Sequence, residues 1–281
     1  MHRNVGIVLS ALLLVGGCAD SPVASLPTVT DSQARWISYG VPDERNEWSP
    51  VGMLLIDGDG DGLFAGPSCT GTLISPRHFL TAAHCIIRPK ENLAVSFDQT
   101  FSRVGTRIAV REVLVHPGAR PLDGLGAMPL NDLAVVVLED NEDTQTRPTL
   151  RLPTPGLLGE LQERGGLRGA QFYNIGYGLI AYHFGPPSRW YSGQRRVSMS
   201  PFMSLTQGSL GLLMNTAATG LGGDCYGDSG GPKVLDRDGY RDVIMAIVTT
   251  GDMHCRATSW SWRIDTPASL DFIRQVMQAY P

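Results

Sequence analysis

The stretch Gly227-Asp228-Ser229-Gly230-Gly231-Pro232 decides how this chain is read, because it sets one hydroxyl among glycines and beside a carboxylate. Glycine permits backbone torsions and close approaches that a Cβ would obstruct. A serine hydroxyl is a weak nucleophile, so Ser229 needs a base within hydrogen-bond reach before it can attack a carbonyl. Two upstream segments offer the missing groups: Thr81-Ala82-Ala83-His84-Cys85 and Asn131-Asp132-Leu133-Ala134-Val135. Asp132 follows His84 by 48 residues and Ser229 follows Asp132 by 97. Taken singly, a histidine beside a cysteine reads as structural, and an Asp-Ser-Gly-Gly run as a turn. Their occurrence together carries the inference. His2, His78, His116, His183 and His254 have no comparable context and read as packed or solvated.

In the order His, Asp, Ser, these segments resemble the trypsin/chymotrypsin family of serine endopeptidases. The resemblance runs from about Ile37 to the C-terminus and takes in Cys69-Thr70-Gly71-Thr72-Leu73-Ile74, His116-Pro117, Gly176-Tyr177-Gly178 and Val248-Thr249-Thr250-Gly251. It implies an all-β fold of two antiparallel Greek-key β-barrels packed face to face, with a C-terminal α-helix. It also implies peptide-bond hydrolysis in protein or peptide substrates through an acyl-enzyme, with no cofactor and no metal. His84 is then the general base, Asp132 the group that fixes its tautomer, and Ser229 the nucleophile. The backbone N–H groups of Gly227 and Ser229 supply the oxyanion hole.

The resemblance implies two further features. Asp228 pairs with an α-amino group released by propeptide cleavage, and Ile37 of Ile37-Ser38-Tyr39-Gly40 is the candidate new terminus. Family members that cut after Arg or Lys carry an aspartate six residues before the nucleophile, where this chain has Gly223. Asp224 follows at the pocket wall, beside Cys225 and Tyr226, with Thr249, Thr250 and Gly251 on a second wall and Ser259 on the far side. Thr250 stands where the family has tryptophan. A carboxylate in such a pocket favours a cationic side chain; the alternative is a pocket for small or apolar residues with Asp224 turned to solvent.

At the other end, Arg3 precedes an apolar run from Val5 to Gly17 that is too short for a resident transmembrane helix. Val15-Gly16-Gly17-Cys18 resembles the lipobox of bacterial lipoproteins, which implies lipidation at Cys18, a signal peptide over 1–17 and a tether or propeptide over 18–36. Ala19 stands where an aspartate would favour the inner membrane. The expected location is therefore the bacterial cell envelope, outer membrane favoured, or the exterior after processing. With Cys18 lipidated, four of the five cysteines remain, and proximity suggests Cys69–Cys85 and Cys225–Cys255. Each bridge contributes about 3 kcal/mol on the chain-entropy account. A net charge of −4 provides no basic field for nucleic acid. A monomer is expected.

Short β-branched and apolar runs predict strands at Val51–Ile56, Gly71–Ile74, Ala94–Phe97, Arg107–Val115 and Leu133–Leu138. A second series covers Phe172–Ile175, Leu212–Asn215, Lys233–Leu235 and Val243–Val248. Barrel one is expected over about 37–150 and barrel two over about 168–265, with the Pro/Gly-rich stretch Asn141–Gly169 as the crossover. Leu270, Ile273, Met277 and Tyr280 recur at helical steps, predicting a helix over 266–280. Asp57-Gly58-Asp59-Gly60-Asp61-Gly62 matches the first half of a calcium loop, but Ser68 stands where the bidentate glutamate belongs. The stretch reads as a glycine-rich hairpin turn. Two alternatives to endoproteolysis stand: a non-catalytic binding module on the same fold, and an esterase or amidase using the same triad.

Overall fold

The computed structural model describes residues 40–120, 129–180 and 192–281. The signal segment, Cys18, the tether, Ile37 and His183 lie outside the described residues. The first half supplies β1 (Val41–Pro42), β2 (Val51–Ile56), β3 (Pro67–Ser75), β4 (His78–Thr81), β5 (Leu93–Ser96), β6 (Ile108–Val115) and β7 (Ala134–Leu138). The second supplies β8 (Gln171–Gly176), β9 (Arg196–Leu205), β10 (Ser209–Leu213), β11 (Pro232–Leu235), β12 (Ile244–Gly251) and β13 (Thr258–Arg263).

Strands β2-β3-β4-β7-β6-β5 close into one antiparallel barrel. The order β9-β10-β13-β12-β11-β8 closes a second through the β8–β9 pairing. This is the chymotrypsin-like architecture. In β7 all five residues, Ala-Val-Val-Val-Leu, are buried, which suits a strand whose two faces both meet protein. Each valine so buried is worth about 1.5–3 kcal/mol. One apolar cluster runs from Leu54, Leu73 and Val135 through Val234 and Ile247 to Leu270 and Ile273. The two barrels and the terminal helix therefore share a core, and loops meeting at their junction are held against both.

Among the described residues four α-helices accompany the strands: α1 (Glu142–Thr146), α2 (Leu157–Glu163), α3 (Thr216–Thr219) and α4 (Pro267–Ala279). Thr266 caps α4 by accepting the Ser269 N–H, and Pro267 sits in its first turn, where a missing N–H costs nothing. The segment 141–169 is more than an irregular crossover. It holds α1 and α2, and α2 buries Leu157, Leu158 and Leu161. β1 also departs from the expected division, since it pairs with β9 of the second barrel. The first described strand thus lies on barrel two, ahead of the strands that build barrel one. Among the described residues no helix is long and apolar enough to cross a membrane.

Candidate active site

His84 sits in a single 3-10 turn, Ala83–Cys85, immediately after β4. Its neighbour Cys85 is bonded to Cys69 in β3, so the turn is stapled to the barrel wall. Asp132 stands just before β7, after Asn131, which takes a left-handed φ of 48° and donates from Nδ2 to the Gly118 carbonyl. β4 and β7 are antiparallel neighbours, with Thr81 opposite Ala134, so two residues 48 apart in sequence are delivered side by side. Asp132 is 2% exposed. Its Oδ1 accepts the His84 backbone N–H at 2.9 Å and its Oδ2 faces His84 Nδ1 at 2.8 Å. That double attachment fixes the imidazole in position and in tautomer, with Nδ1 protonated and Nε2 left as the acceptor.

The Ser229 loop is gripped from both barrels. From barrel one, the Thr70 N–H donates to the Ser229 carbonyl at 2.8 Å and Thr70 Oγ1 donates to the Gly227 carbonyl at 2.9 Å. Thr81 Oγ1 in turn donates to the Thr70 carbonyl at 2.8 Å. From barrel two, the Gly230 N–H donates to the Val248 carbonyl at 2.8 Å. Gly230 has φ +80°, and a Cβ there would lie 2.2 Å from Thr81 Oγ1, so glycine is required. The Ser229 carbonyl lies 3.7 Å from Cys85 Sγ, beside the histidine-bearing turn. Among the described residues the Ser229 hydroxyl makes no hydrogen bond to His84 (such contacts often tighten only when substrate binds). The Gly227 and Ser229 N–H groups likewise donate to no acceptor among the described residues. In the sequence Thr70 is marked only as part of a motif; its hold on the Ser229 loop follows from the fold.

The residues expected to line the pocket come from neighbouring segments of barrel two. Gly223, Asp224 and Cys225 are buried, while Tyr226 is 47% exposed at the rim. Cys225 is bonded to Cys255. Thr250 pairs with Trp260 and Gly251 with Ser259, which places the Thr249–Gly251 strand beside Ser259. Asp224 does not turn to solvent, nor does it stand free to receive a cation. It is 4% exposed and ion-paired with the fully buried Lys233 of β11, while Ser259 Oγ donates to its Oδ2 at 2.8 Å. The turn of Asp224 to solvent expected in the second reading is corrected by this pairing. A lysine inside the otherwise apolar Pro-Lys-Val-Leu strand was the available signal, since a charge in a buried strand needs a partner.

Asp228 is 2% exposed. It accepts the Gly178 N–H and the Cys225 N–H, each at 2.8 Å. Gly176 and Gly178 make room for it, since a Cβ on either would lie within 2.4 Å of its oxygens. Among the described residues it has no ion-pair partner, and burial, reinforced by the Asp224 charge, pushes its pKa up to about 7.

Two other clusters are accounted for locally. Asp57 accepts the Gly60 and Gly62 N–H groups at 2.7 and 2.8 Å, closing the loop between antiparallel neighbours β2 and β3. The grouping of Cys69, Cys85 and His84 is no metal cage, because both thiols are spent in the disulfide.

Fold and site define a class, and comparison with known proteins agrees with it. The trypsin family model matches residues 37–269, and the chain belongs to that family. A trypsin-like protease of Streptomyces glaucescens is 25% identical over 266 residues, covering 89% of this chain and 86% of that protein. Glucanase inhibitor protein 4 of Phytophthora infestans is 27% identical over 256 residues, covering 89% and 90%. A venom serine protease of Polistes dominula is 27% identical over 143 residues; the match spans 47% of this chain and only 47% of the wasp protein.

Proposed function

We propose that the chain is a serine endopeptidase in which His84, Asp132 and Ser229 form the catalytic triad. The observation that carries this reading is the pair of hydrogen bonds that buried Asp132 accepts from His84, at 2.9 and 2.8 Å, beside a serine loop whose Gly227 and Ser229 N–H groups lack acceptors among the described residues. His84 Nε2 takes the Ser229 proton as Oγ bonds to the substrate carbonyl carbon. The carbonyl electron pair moves onto oxygen, where the two free N–H groups stabilise it. Collapse breaks the C–N bond, and the proton held by His84 goes to the leaving amine. Water then repeats the sequence on the acyl-enzyme, releasing the acid and restoring Ser229. A fluorophosphonate probe should label the wild type and not Ser229→Ala, and the wild type should cleave peptides. Absence of labelling in a folded, processed wild type overturns the reading.

The match to a glucanase inhibitor over 90% of its length favours a second reading, a binding module on the same fold. Under it neither chain labels. An esterase or amidase would label but leave casein and peptides intact.

Activation is proposed to run through Asp228 and a terminus at Ile37. A carboxylate buried beside Asp224, with no ion-pair partner among the described residues, is poorly tolerated when ionised. Its folded pKa of about 7 lies above the ordinary 3.8, so the protonated form is the better folded. Its contribution to stability is therefore fully present below about pH 4 and lost as pH rises through 7. In uncleaved Ser229→Ala protein, the midpoint of thermal unfolding should fall across that window, and Asp228→Asn should flatten the fall. In chain cleaved before Ile37, an α-ammonium beside the carboxylate should hold its pKa below the ordinary value, so the fall across that window should disappear and stability should drop only as pH falls below about 4. An uncleaved chain whose pH profile ignores Asp228→Asn overturns the proposal.

A further inference from the structure

We infer that Lys233 and Met214 set the substrate preference of the primary pocket, restricting the acyl-side residue of the scissile bond to a small, uncharged side chain. The inference rests on the peptidase reading and adds the substrate class to it.

The first half of the argument is charge. Asp224 supplies the carboxylate among the pocket-wall residues. One of its oxygens is paired with Lys233 Nζ and the other accepts from Ser259 Oγ at 2.8 Å. Lys233 is fixed from the opposite side as well, because Nζ also donates to Asn174 Oδ1 at 2.5 Å. Asn174 Nδ2 in turn donates to Ser198 Oγ and Ser200 Oγ, both at 2.9 Å, and Ser200 Oγ donates to the Gly222 carbonyl at 2.6 Å. Lys233, Ser259 and Ser200 are fully buried, and Asn174 is 1% exposed. An incoming ammonium or guanidinium would therefore meet a neutral pair whose hydrogen bonds are already made. It would lose its water and gain no counter-charge.

The second half is depth. Met214 follows β10 and is 1% exposed. A Cβ placed on Gly223 would lie 2.2 Å from Met214 Sδ and 2.3 Å from its Cγ. The thioether thus fills the space where a side chain at 223 would begin. Its Cε reaches to 3.6 Å from a Cβ placed on Gly251, on the facing wall. Met214 spans the floor between the two glycines and shortens the pocket from below. A large acyl-side residue has to displace it.

The test is a series of peptides differing only at the acyl-side residue, Ala, Val, Phe or Arg, cleaved by processed enzyme. Wild type should prefer Ala or Val, with kcat/KM for Arg lower by about 100-fold or more, the scale that pocket mismatches reach. Met214→Ala should raise the Phe:Ala ratio about tenfold, the low end of what one pocket contact is worth. Lys233→Met frees Asp224 and should raise the Arg:Ala ratio by at least about tenfold. Because that variant strands a buried carboxylate, the double variant Lys233→Met/Asp224→Asn is made beside it. It should fold and keep the low Arg:Ala ratio of wild type. Arg preferred by wild type, or a Phe:Ala ratio indifferent to Met214→Ala, overturns the proposal. A chain that labels at Ser229 yet prefers Arg sinks this inference alone, whereas a chain that does not label sinks the peptidase reading beneath it.

Discussion

Asp132→Asn should lower kcat by about 10⁴ with little change in KM, the loss that a triad suffers when its histidine takes the wrong tautomer. Asp132 holds His84 twice, through Oδ1 to the backbone N–H and Oδ2 to Nδ1. Asparagine keeps one acceptor and gains an NH₂. Whichever way the amide turns, one of its two contacts is lost. If the oxygen serves the backbone N–H, the NH₂ faces Nδ1 and makes that nitrogen the acceptor. The ring proton then sits on Nε2, where it blocks proton removal from Ser229. The change is nearly isosteric at a site 2% exposed, so stability should shift far less than rate. The discriminating measurement is kcat on the preferred peptide, alongside the thermal midpoint. A loss under tenfold in folded protein would show that His84 works without Asp132.

That site was legible because its chemistry restricts residue types. A hydroxyl, an imidazole and a carboxylate in fixed chain order leave few readings, and Val51–Ile56 coincides with β2 because a buried apolar run has one obvious use. Strands β9 and β13 escaped for the opposite reason. Their inward faces are polar: Ser198 and Ser200 turn to Asn174, and Ser259 turns to Asp224. In Thr258-Ser-Trp-Ser-Trp-Arg263 the serines are fully buried and Trp260 is only half-buried, so hydrophobic alternation points the wrong way. The register of β10 slipped as well. Asn215, read as the end of that strand, caps α3 by accepting the Ala218 N–H. Lys233 in an apolar strand signals a partner but not which one, because it meets Asp224, nine residues away, only once β11 and the loop carrying Asp224 are folded together.

Arg195→Met should destabilise the fold by about 3–5 kcal/mol, the range for breaking a buried ion pair from one side. Arg195 is fully buried immediately before β9. Its Nε donates to Asp43 Oδ2 at 2.8 Å, and its Nη1 reaches the Val51 carbonyl at 3.1 Å, the Phe97 carbonyl at 3.3 Å and Tyr177 Oη at 3.1 Å. Asn46 Oδ1 accepts from Nη2. One guanidinium therefore joins the segment that β1 begins, two strand ends of barrel one and the tyrosine between the glycines that make room for Asp228. Methionine fills much of the volume but leaves the buried Asp43 carboxylate without its guanidinium, holding only the Glu47 and Trp48 N–H groups at 3.0 and 3.1 Å. In a chain of this size the loss corresponds to a fall of about 10 °C in the unfolding midpoint. Asp43→Asn should remove much of the same interaction, so the double variant should fall short of the sum by about 1–3 kcal/mol. Strict additivity would mean that the two residues act separately, and that the first segment is tied down by something other than this pair.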